Sequence, residues 1–326
     1  MLLAGDLGGT NCRFALFDSN LSIIEQQTYP CQNYTSFEAA VSDFVASHSS
    51  HTIEAACFGL PGPIINGTCK LTNLPWSLVE ATKIEQVVGA KVTLLNDVEA
   101  NAYGLETLRD EEIVTLKSGS PMPGGNRAVV APGTGLGEAA LIEVGGQLHV
   151  IASEGGHADF GPSDQVQWEL SCYIQQEYKR ASYELILSGP GLVRIYKSLI
   201  ANGHGVTPPW LSQQMEQADA AAAISQAGLR GECQVCSKAL DMFAAILASE
   251  AANAAVKFLA RGGVYLGGGI PSRILDKLRQ PLFIENFMTK DKIAHLLEQI
   301  PVYVILNQQT ALQGSAWYGL RMVKDV

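Results

Sequence analysis

The stretch Gly5-Asp6-Leu7-Gly8-Gly9-Thr10-Asn11 joins two short apolar runs, Leu2-Leu3-Ala4 and Phe14-Ala15-Leu16-Phe17. The apolar runs predict two buried strands, and the glycines between them predict a tight turn. Glycines allow positive φ and let backbone N–H groups approach an anion, and Asp6 beside the turn can hold a cation or its water. This pattern is typical of a phosphate-and-metal turn at a sheet edge, and equally of an ordinary glycine-rich hairpin. Other motifs in the chain are needed to distinguish a phosphate site from an ordinary hairpin.

Length and composition bound the class of protein. The 326 residues are long for one domain and suit two, and 47% of them are hydrophobic. The net charge of −10 disfavours nucleic acid or an anionic membrane as main partner, because no basic run neutralises phosphates. No run of about 18 uncharged apolar residues occurs, and no basic segment leads into an apolar one at the start. We therefore predict neither a transmembrane helix nor a secretory signal.

The cysteines indicate the redox environment. There are seven, an odd number scattered along the chain, which fits a reducing cytoplasm better than a disulfide framework. Cys233 and Cys236 form a lone C-x-x-C without a second pair. This favours a structural or incidental role over zinc or redox chemistry.

Strand and helix patterns alternate in the first third of the chain. Val92-Thr93-Leu94-Leu95 reads as a buried strand that delivers Asn96 and Asp97 at its carboxyl end, before a predicted helix from Val98 to Leu108. Ligands of open α/β sheets bind outside the carboxyl ends of strands. Asp97 is therefore a candidate catalytic carboxylate. Capping of the helix N-terminus is the commoner reason for an aspartate at such a position.

A second strand–turn–strand pattern follows, in which Pro132-Gly133-Thr134-Gly135-Leu136-Gly137 separates Ala128–Ala131 from Ala139–Val144. It repeats the opening design and predicts an internal duplication. A third glycine-rich turn, Gly267-Gly268-Gly269, ends another apolar strand. None of the three fits the Walker or the dinucleotide-binding fingerprint. Together they are suited to supply backbone donors around one nucleotide.

Local signals predict several element boundaries. Ser36 is a predicted N-cap for a helix near Phe37 to Ser47, and Ser77 and Ser188 are predicted to start later helices. Asn66-Gly67 predicts a hairpin turn. Glu184 stands ahead of an apolar, strand-like run, Leu185-Ile186-Leu187.

At this point several motifs resemble one family in its order and spacing. They are Gly5 to Asn11, Leu95-Asn96-Asp97, Gly133-Thr134-Gly135, Glu154-Gly155-Gly156-His157, Leu187-Ser188-Gly189-Pro190-Gly191 and Leu266-Gly267-Gly268-Gly269-Ile270. Together they are similar to the bacterial glucokinases, sugar kinases of the actin-like ATPase superfamily. Related kinases with a cysteine-rich zinc motif are a poorer match, because no C-x-C-G-x-x-G-C is present.

The resemblance implies an α/β, two-domain actin-like ATPase (ribonuclease H-like) fold with a cleft between a small and a large domain. The small domain would comprise residues 1–108 and about 306–326, and the large one residues 109–305. The implied activity is ATP-dependent phosphorylation of the 6-hydroxyl of glucose, the first step of glycolysis. The implied setting is a cytoplasmic homodimer with ATP and Mg²⁺ as cofactors.

The resemblance also assigns roles to residues. Asp97 would be the catalytic base and Asn96 would bind a sugar hydroxyl. Glu154, His157 and Glu184 would bind further hydroxyls. Asn73 and Trp76 are candidates for the border of the sugar site, and loop capping and packing explain these two residues equally well. Phosphates would lie against Gly5, Asp6, Leu7, Gly8, Gly9, Thr10, Gly133, Thr134 and Gly135, and adenosine against Gly267 and Gly268.

The chemistry of these residues agrees with the implied roles. Asp97 suits a carboxylate that accepts the attacking hydroxyl's proton, and Asp6 suits a water-mediated place near Mg²⁺. No Arg or Lys stands out as a phosphate clamp, which leaves anion stabilisation to backbone N–H groups and the metal. Taken singly, His157 also fits a core histidine or a metal ligand, and Glu184 a solvated surface residue. No zinc site is predicted.

Rival functions remain open from the sequence. Within the same enzyme class, the substrate could be mannose, fructose or N-acetylglucosamine, and the donor could be polyphosphate or ADP. From another class, a sugar-sensing actin-like ATPase would bind nucleotide without transferring phosphate. Such a sensor would lack the base or carry a basic helix-turn-helix segment, whereas this chain has Asp97 and no such segment.

Overall fold

The chain divides into two compact units. In the computed structural model, residues 1–71, 74 and 76–324 are described. Unit 1 is Met1–Asp110 with Asn307–Val326, and unit 2 is Glu111–Leu306. The predicted sugar-border residue Asn73 lies outside the described residues.

The elements of both units are numbered along the chain. The strands are β1 (Leu2–Leu7), β2 (Asn11–Phe17), β3 (Ile23–Pro30), β4 (Ala55–Leu60), β5 (Ile64–Ile65), β6 (Thr68–Lys70), β7 (Leu78–Glu80), β8 (Lys91–Asn96), β9 (Ile113–Lys117), β10 (Arg127–Pro132), β11 (Leu136–Val144), β12 (Gln147–Ser153), β13 (Gly263–Leu266) and β14 (Val302–Ile305). The helices are α1 (Phe37–Ser47), α2 (Ala81–Val88), α3 (Asp97–Gly104), α4 (Gln165–Gln175), α5 (Gly189–Ala201), α6 (Pro209–Gln217), α7 (Ala220–Leu229), α8 (Gln234–Lys257), α9 (Leu275–Leu278), α10 (Pro281–Met288), α11 (Ala294–Gln299) and α12 (Thr310–Lys324).

Unit 1 is built on the sheet β3-β2-β1-β4-β8. β1, β2 and β3 are antiparallel, while β4 runs parallel to β1 and β8 parallel to β4. Alternate residues of β1 enter different cores, because side chains alternate across a strand. Leu3 packs with Phe37 and Phe44 of α1, whereas Leu2 packs with Leu312 of α12. The sheet is thus covered on both faces.

Unit 2 repeats this topology. Its sheet has the order β12-β11-β10-β13-β14-β9, in which β10, β11 and β12 are antiparallel and β13 and β14 run parallel to β10. Except for β9 at the far edge, strand order and directions match those of unit 1. The predicted internal duplication is therefore confirmed by the sheets.

Most of the local predictions are confirmed. Ser36 and Ser188 cap α1 and α5 through hydrogen bonds that their hydroxyls accept from Ala39 N and Gly191 N, both at 3.1 Å. Asn66 and Gly67 both have positive φ between β5 and β6, as a two-residue hairpin turn of this type requires.

Two local predictions are wrong. Ser77 caps no helix, because the strand β7 intervenes and α2 begins only at Ala81. Residues 183–187 form turns rather than a strand: Ile186 N and Leu187 N both donate to the Tyr183 carbonyl. Their apolar character comes from burial in the helical core of unit 2, and such burial is common to strands and packed turns.

Helix α8 is the one described helix long and apolar enough to cross a membrane by length and composition. However, 72% of its apolar window is buried inside the protein. It packs against α5, α7 and α10 in the core of unit 2. Burial of this kind is typical of a core helix.

Candidate active site

Asn96 and Asp97 lie where β8 passes into α3. Asn96 is the N-cap: its Oδ1 accepts from Val98 N at 2.9 Å, and its backbone N donates to Glu99 Oε2 at 2.8 Å. These two bonds form a capping box. Asp97 is the first helical residue, and its Oδ1 also accepts from Val98 N, at 3.0 Å. The main N-cap of α3 is therefore Asn96 and not Asp97.

The side chain of Asn96 has a second structural partner. Its Nδ2 donates to the Gly62 carbonyl at 3.1 Å, which ties α3 to the loop after β4. Since an amide NH₂ carries two donors, this bond leaves capacity for a second acceptor, such as a hydroxyl. The predicted sugar contact of Asn96 is compatible with its structural role.

Close approaches at glycines place α3. A Cβ on Gly59 would lie 3.0 Å from Ala100 Cβ and 3.8 Å from Asp97 Cα. A Cβ on Gly104 would overlap the Thr310 carbonyl, and one on Gly314 would overlap the Ala100 carbonyl. These glycines let β4 and α12 hold the helix that begins with Asp97. Sequence reasoning missed them, because each partner is remote in the chain.

The opening glycine stretch is only partly a turn. Gly5, Asp6 and Leu7 belong to β1, and a Cβ on Gly5 would lie 2.5 Å from the Phe58 ring. Gly5 therefore serves packing, which is a correction to its predicted place in the turn. Gly8, Gly9 and Thr10 form the exposed turn, closed by a bond from Gly8 N to Asn11 O at 2.9 Å.

The expected use of positive φ in this turn is wrong, because neither Gly8 nor Gly9 has it. A Cβ on Gly9 would meet nothing within 4 Å. Open space above Gly9 is where a ligand can approach the bare backbone. The turn therefore remains a candidate phosphate site because its backbone is accessible, and not because its glycines have positive φ.

The surroundings of Asp6 would favour a bound cation. Burial raises its pKa, and the charge of Arg13, its partner on β2, opposes that rise. A hydrated Mg²⁺ would stabilise the charged form in the same way, since Mg²⁺ is usually bound through one or two carboxylates, waters and substrate phosphates. Among the described residues no cluster of three or more His, Cys, Asp or Glu forms an all-protein metal cage.

In unit 2, the residues predicted to bind sugar lie together. His157 Nε2 lies 3.9 Å from Glu154 Oε2, and its Nδ1 lies 3.9 Å from Glu184 Oε1. The His157 and Glu154 side chains are 62% and 68% exposed, and that of Glu184 is 33% exposed. An imidazole between two accessible carboxylates offers directed donors and acceptors to a polyhydroxyl ligand.

Glu184 also joins this group to the second glycine-rich turn. Its Oε2 accepts from Leu136 N at 3.0 Å, and its backbone N donates to Gly156 O at 2.7 Å. A Cβ on Gly135 would lie 2.5 Å from Glu184 Oε2. Gly135 is thus required for the approach of the carboxylate, and Glu184 is not the solvated surface residue of the alternative interpretation.

The second and third glycine-rich turns meet each other. Gly268 has φ +74°, and a Cβ there would overlap the Pro132 carbonyl. Gly133 O accepts from Gly189 N at 2.9 Å, so the second turn also reaches the start of α5. Two of the three predicted turns therefore form one structure within unit 2.

A cavity of about 990 Å³ opens beside these turns. Gly133, Thr134 and Gly269 line it, together with one side of α7 and the start of α5. Sequence reasoning missed α7, whose alanine-rich sequence carries no binding signal. It also missed Arg273, which lines the cavity and is exposed, three residues after Ile270.

Other candidates have structural explanations. Trp76 is 3% exposed and donates its Nε1 hydrogen to the Tyr34 carbonyl at 2.9 Å, as a packing residue does. Cys233 and Cys236 are buried in the core of unit 2, where burial raises the pKa of the Cys236 thiol. A buried thiol with a raised pKa is unreactive.

Comparison with known proteins decides the family. Residues 3–322 match the glucokinase family. A glucokinase of Nostoc sp. strain PCC 7120 is 36% identical over 341 residues, covering 99% of each chain. The chain belongs to the glucokinase family. The predicted enzyme class is thereby confirmed, and the family implies ATP as phosphoryl donor.

Solved structures of this family share the fold. A glucokinase from an Antarctic psychrotroph is 30% identical, with a TM-score of 0.85 over 98% of each chain. A ROK-family glucokinase from Streptomyces griseus, solved with glucose and AMPPNP, is 21% identical. Its TM-score is 0.68 over 98% of this chain and 99% of its own, and at that identity the likeness concerns the fold alone. The predicted actin-like ATPase fold class is confirmed.

Proposed function

We propose that this glucokinase-family chain transfers the γ-phosphoryl group of ATP to the 6-hydroxyl of glucose, with Asp97 as base and Glu154, His157 and Glu184 as hydroxyl-binding residues. The observation that carries the proposal is the His157 group, in which an imidazole lies 3.9 Å from each of two carboxylates. A neutral hexose needs such directed polar partners, and the match to the glucokinase family supports the same substrate.

Asp97 fits the proton-accepting role. Its carboxylate projects from the first turn of α3, whose position is set by the capping box of Asn96 and the close approach at Gly59. Phosphoryl transfer asks mainly for positioning, charge stabilisation and a carboxylate that accepts the attacking hydroxyl's proton. A fixed helix start supplies the positioning part of that requirement.

Asp6 and the exposed turn Gly8-Gly9-Thr10 would hold the phosphates and the metal. Bound Mg²⁺ would neutralise phosphate charge in the transition state. Asp6 would contact it through water, and backbone N–H groups of the turn would donate to phosphate oxygens. Gly133, Thr134 and Gly135 would contribute further backbone donors.

The hydroxyl-binding role gives a first prediction. We expect His157→Ala to raise KM for glucose about tenfold or more while changing KM for ATP little, because paired polar partners of a sugar hydroxyl are lost. The measurement is steady-state kinetics with each substrate varied in turn. A matched control is His149→Ala, because His149 is exposed on β12 and lies outside this group. Equal effects on both substrates would contradict the assignment.

The nucleotide would occupy the cavity beside the second and third turns. The cavity's volume suits a nucleoside, and ligand sites are typically concave with a few polar groups. Gly267 and Gly268 would lie against adenosine from beside Gly269, which lines the cavity. Arg273 at the rim would add a positive charge for the phosphates or a planar face for the base.

A second prediction fills this cavity. We expect Ser225→Trp, which places a large ring in the lining, to raise KM for ATP about tenfold with little change in KM for glucose. Exposed Ser212 at the start of α6 offers a matched control, Ser212→Trp. Unchanged ATP kinetics in the Ser225 variant would place the nucleotide elsewhere.

The test of the proposed function is a coupled ADP-release assay with Mg²⁺-ATP across a panel of glucose, mannose, fructose and N-acetylglucosamine. We expect sugar-dependent ADP release that is highest with glucose. ADP release without any sugar, or none with all of them, would contradict kinase activity. A higher rate with another hexose would change the assigned substrate and leave the assigned mechanism in place.

Donor, setting and assembly complete the proposal. Replacing ATP by ADP or polyphosphate in the same assay tests the donor. The cytoplasmic location and the homodimer stay proposals supported by family likeness, and the scattered reduced cysteines agree with the first of them. Sedimentation of the purified protein tests the second.

A further inference from the structure

A buried polar cluster lies behind the turn of residues 154–157, here called the His157 turn. Its centre is a pair of glutamates, Glu138 on β11 and Glu250 on α8, which are 2% and 0% exposed. Neither is part of the proposed site. Carboxyl groups this deeply buried are rare unless partnered, so the pair requires an explanation.

Glu138 lies directly against the His157 turn. A Cβ on Gly155 would overlap Glu138 Oε2, so the carboxyl group occupies the space that a side chain at this position would need. Gly155 N donates to Ser153 Oγ at 2.8 Å, and Ser153 is the β12 partner of Glu138. Movement of Glu138 would therefore be transmitted to Gly155 and, two residues on, to His157.

Glu250 links the cluster to the other sugar-binding segment. Its Oε2 accepts from Asn253 Nδ2 at 2.8 Å, and the same amide donates to the Tyr183 hydroxyl at 3.0 Å. Tyr183 immediately precedes Glu184. The two glutamates thus contact both chain segments that carry the sugar-binding side chains.

The cations near the pair lie on the Glu250 side and oppose a held proton, whereas the unpartnered oxygen of Glu138 favours one. Lys257 Nζ lies 3.1 Å from Glu250 Oε1, and Lys290 Nζ donates to Asn253 Oδ1 at 2.5 Å. Glu138 Oε1 is buried without a hydrogen-bond partner among the described residues. Such an oxygen is costly as an anion, whereas a protonated oxygen is itself a donor.

We propose that Glu138 is a positioning residue for the sugar, and that a proton held by the Glu138–Glu250 pair keeps the His157 turn in its binding position. This rests on the proposed function, in which His157 and Glu184 bind glucose. Loss of the proton would leave two negative charges side by side beneath Gly155, with Lys257 against Glu250 as the nearby cation. Their repulsion would displace the turn and weaken sugar binding.

The pH range follows from the surroundings of Glu138. Burial, and then the negative charge of Glu250, raise the pKa of Glu138 to about 8, while Lys257 opposes the rise. Among the other groups that face the pair, burial raises the pKa of Tyr183 to about 12 and lowers the pKa of Lys290. We therefore expect the pair to lose its proton above neutral pH.

The experiment measures KM for glucose, KM for ATP and kcat from about pH 7 to about pH 9. In the wild type, we expect KM for glucose to rise about threefold or more across this range, with smaller changes in the other two constants. In Glu138→Gln, a neutral isostere of the protonated acid, KM at neutral pH stays near that of the wild type and the alkaline rise disappears. Glu143→Gln, an exposed position on the same strand, should keep the wild-type profile.

The outcomes separate this inference from the proposed function. An active wild-type enzyme without an alkaline rise in KM for glucose, or a Glu138→Gln variant that retains the rise, would overturn the positioning role while leaving the kinase activity in place. Absence of sugar phosphorylation by the wild type would overturn the function itself. Should Glu138→Gln fail to fold, Glu138→Asp shortens the reach to Gly155 and should raise KM for glucose already at neutral pH.

Discussion

Asp97→Asn is expected to lower kcat about a hundredfold or more while leaving KM for glucose nearly unchanged. The amide keeps the size and the hydrogen-bonding geometry of the side chain but accepts no proton from the attacking hydroxyl. Because Asn96 supplies the main cap of α3, the variant should fold normally. The measurement is steady-state kinetics with saturating Mg²⁺-ATP.

Two comparisons make this result specific. Asp110→Asn removes the same charge from an exposed position and should have wild-type kinetics. Thermal unfolding of Asp97→Asn should stay within about 4 °C of the wild type, because Asn96 keeps capping α3 and the loss of a charge near the helix N-terminus costs little. Near-normal turnover in a correctly folded Asp97→Asn enzyme would remove Asp97 from the base role.

Gly314→Ala is expected to destabilise unit 1 by about 1–3 kcal/mol or more, as overpacking of a close contact does. The added methyl group would overlap the Ala100 carbonyl, where α12 crosses α3. The helices must separate, and α3 carries Asp97 at its first position. We therefore expect a lower unfolding temperature together with a reduced kcat.

Gly319→Ala on the same helix is the matched control. A Cβ there would lie 3.5 Å from Cys57 Cβ, an ordinary contact, and alanine is the better helix former. Its stability should equal or exceed that of the wild type. If both variants were equally stable, the close crossing of α12 and α3 would not be what fixes Asp97.

Signals that are local in the chain were readable from the sequence. Ser36 and Ser188 were recognised as caps because a cap needs only its own side chain and an N–H three residues on. The repeated strand–turn–strand pattern predicted the duplication because both halves use the same short signature. The sugar-binding residues required the family resemblance, since nothing local distinguishes Glu184 from a surface carboxylate.

Features that depend on distant partners were not readable. Gly5 was assigned to a turn, yet it is a glycine because Phe58 of β4 lies against it. Ser77 is predicted to cap a helix because the residues after it do not themselves indicate a strand. They form β7 only through pairing with β6. Arg273 and α7 border the cavity through packing that no sequence pattern records.

The position of the new phosphate ester tests the central claim most directly. After incubation with Mg²⁺-ATP and glucose, NMR of the product should show phosphate on the 6-oxygen, and 6-deoxyglucose should yield no sugar phosphate. Phosphate on another oxygen, or inorganic phosphate as the main product with glucose present, would contradict transfer to the 6-hydroxyl by this site.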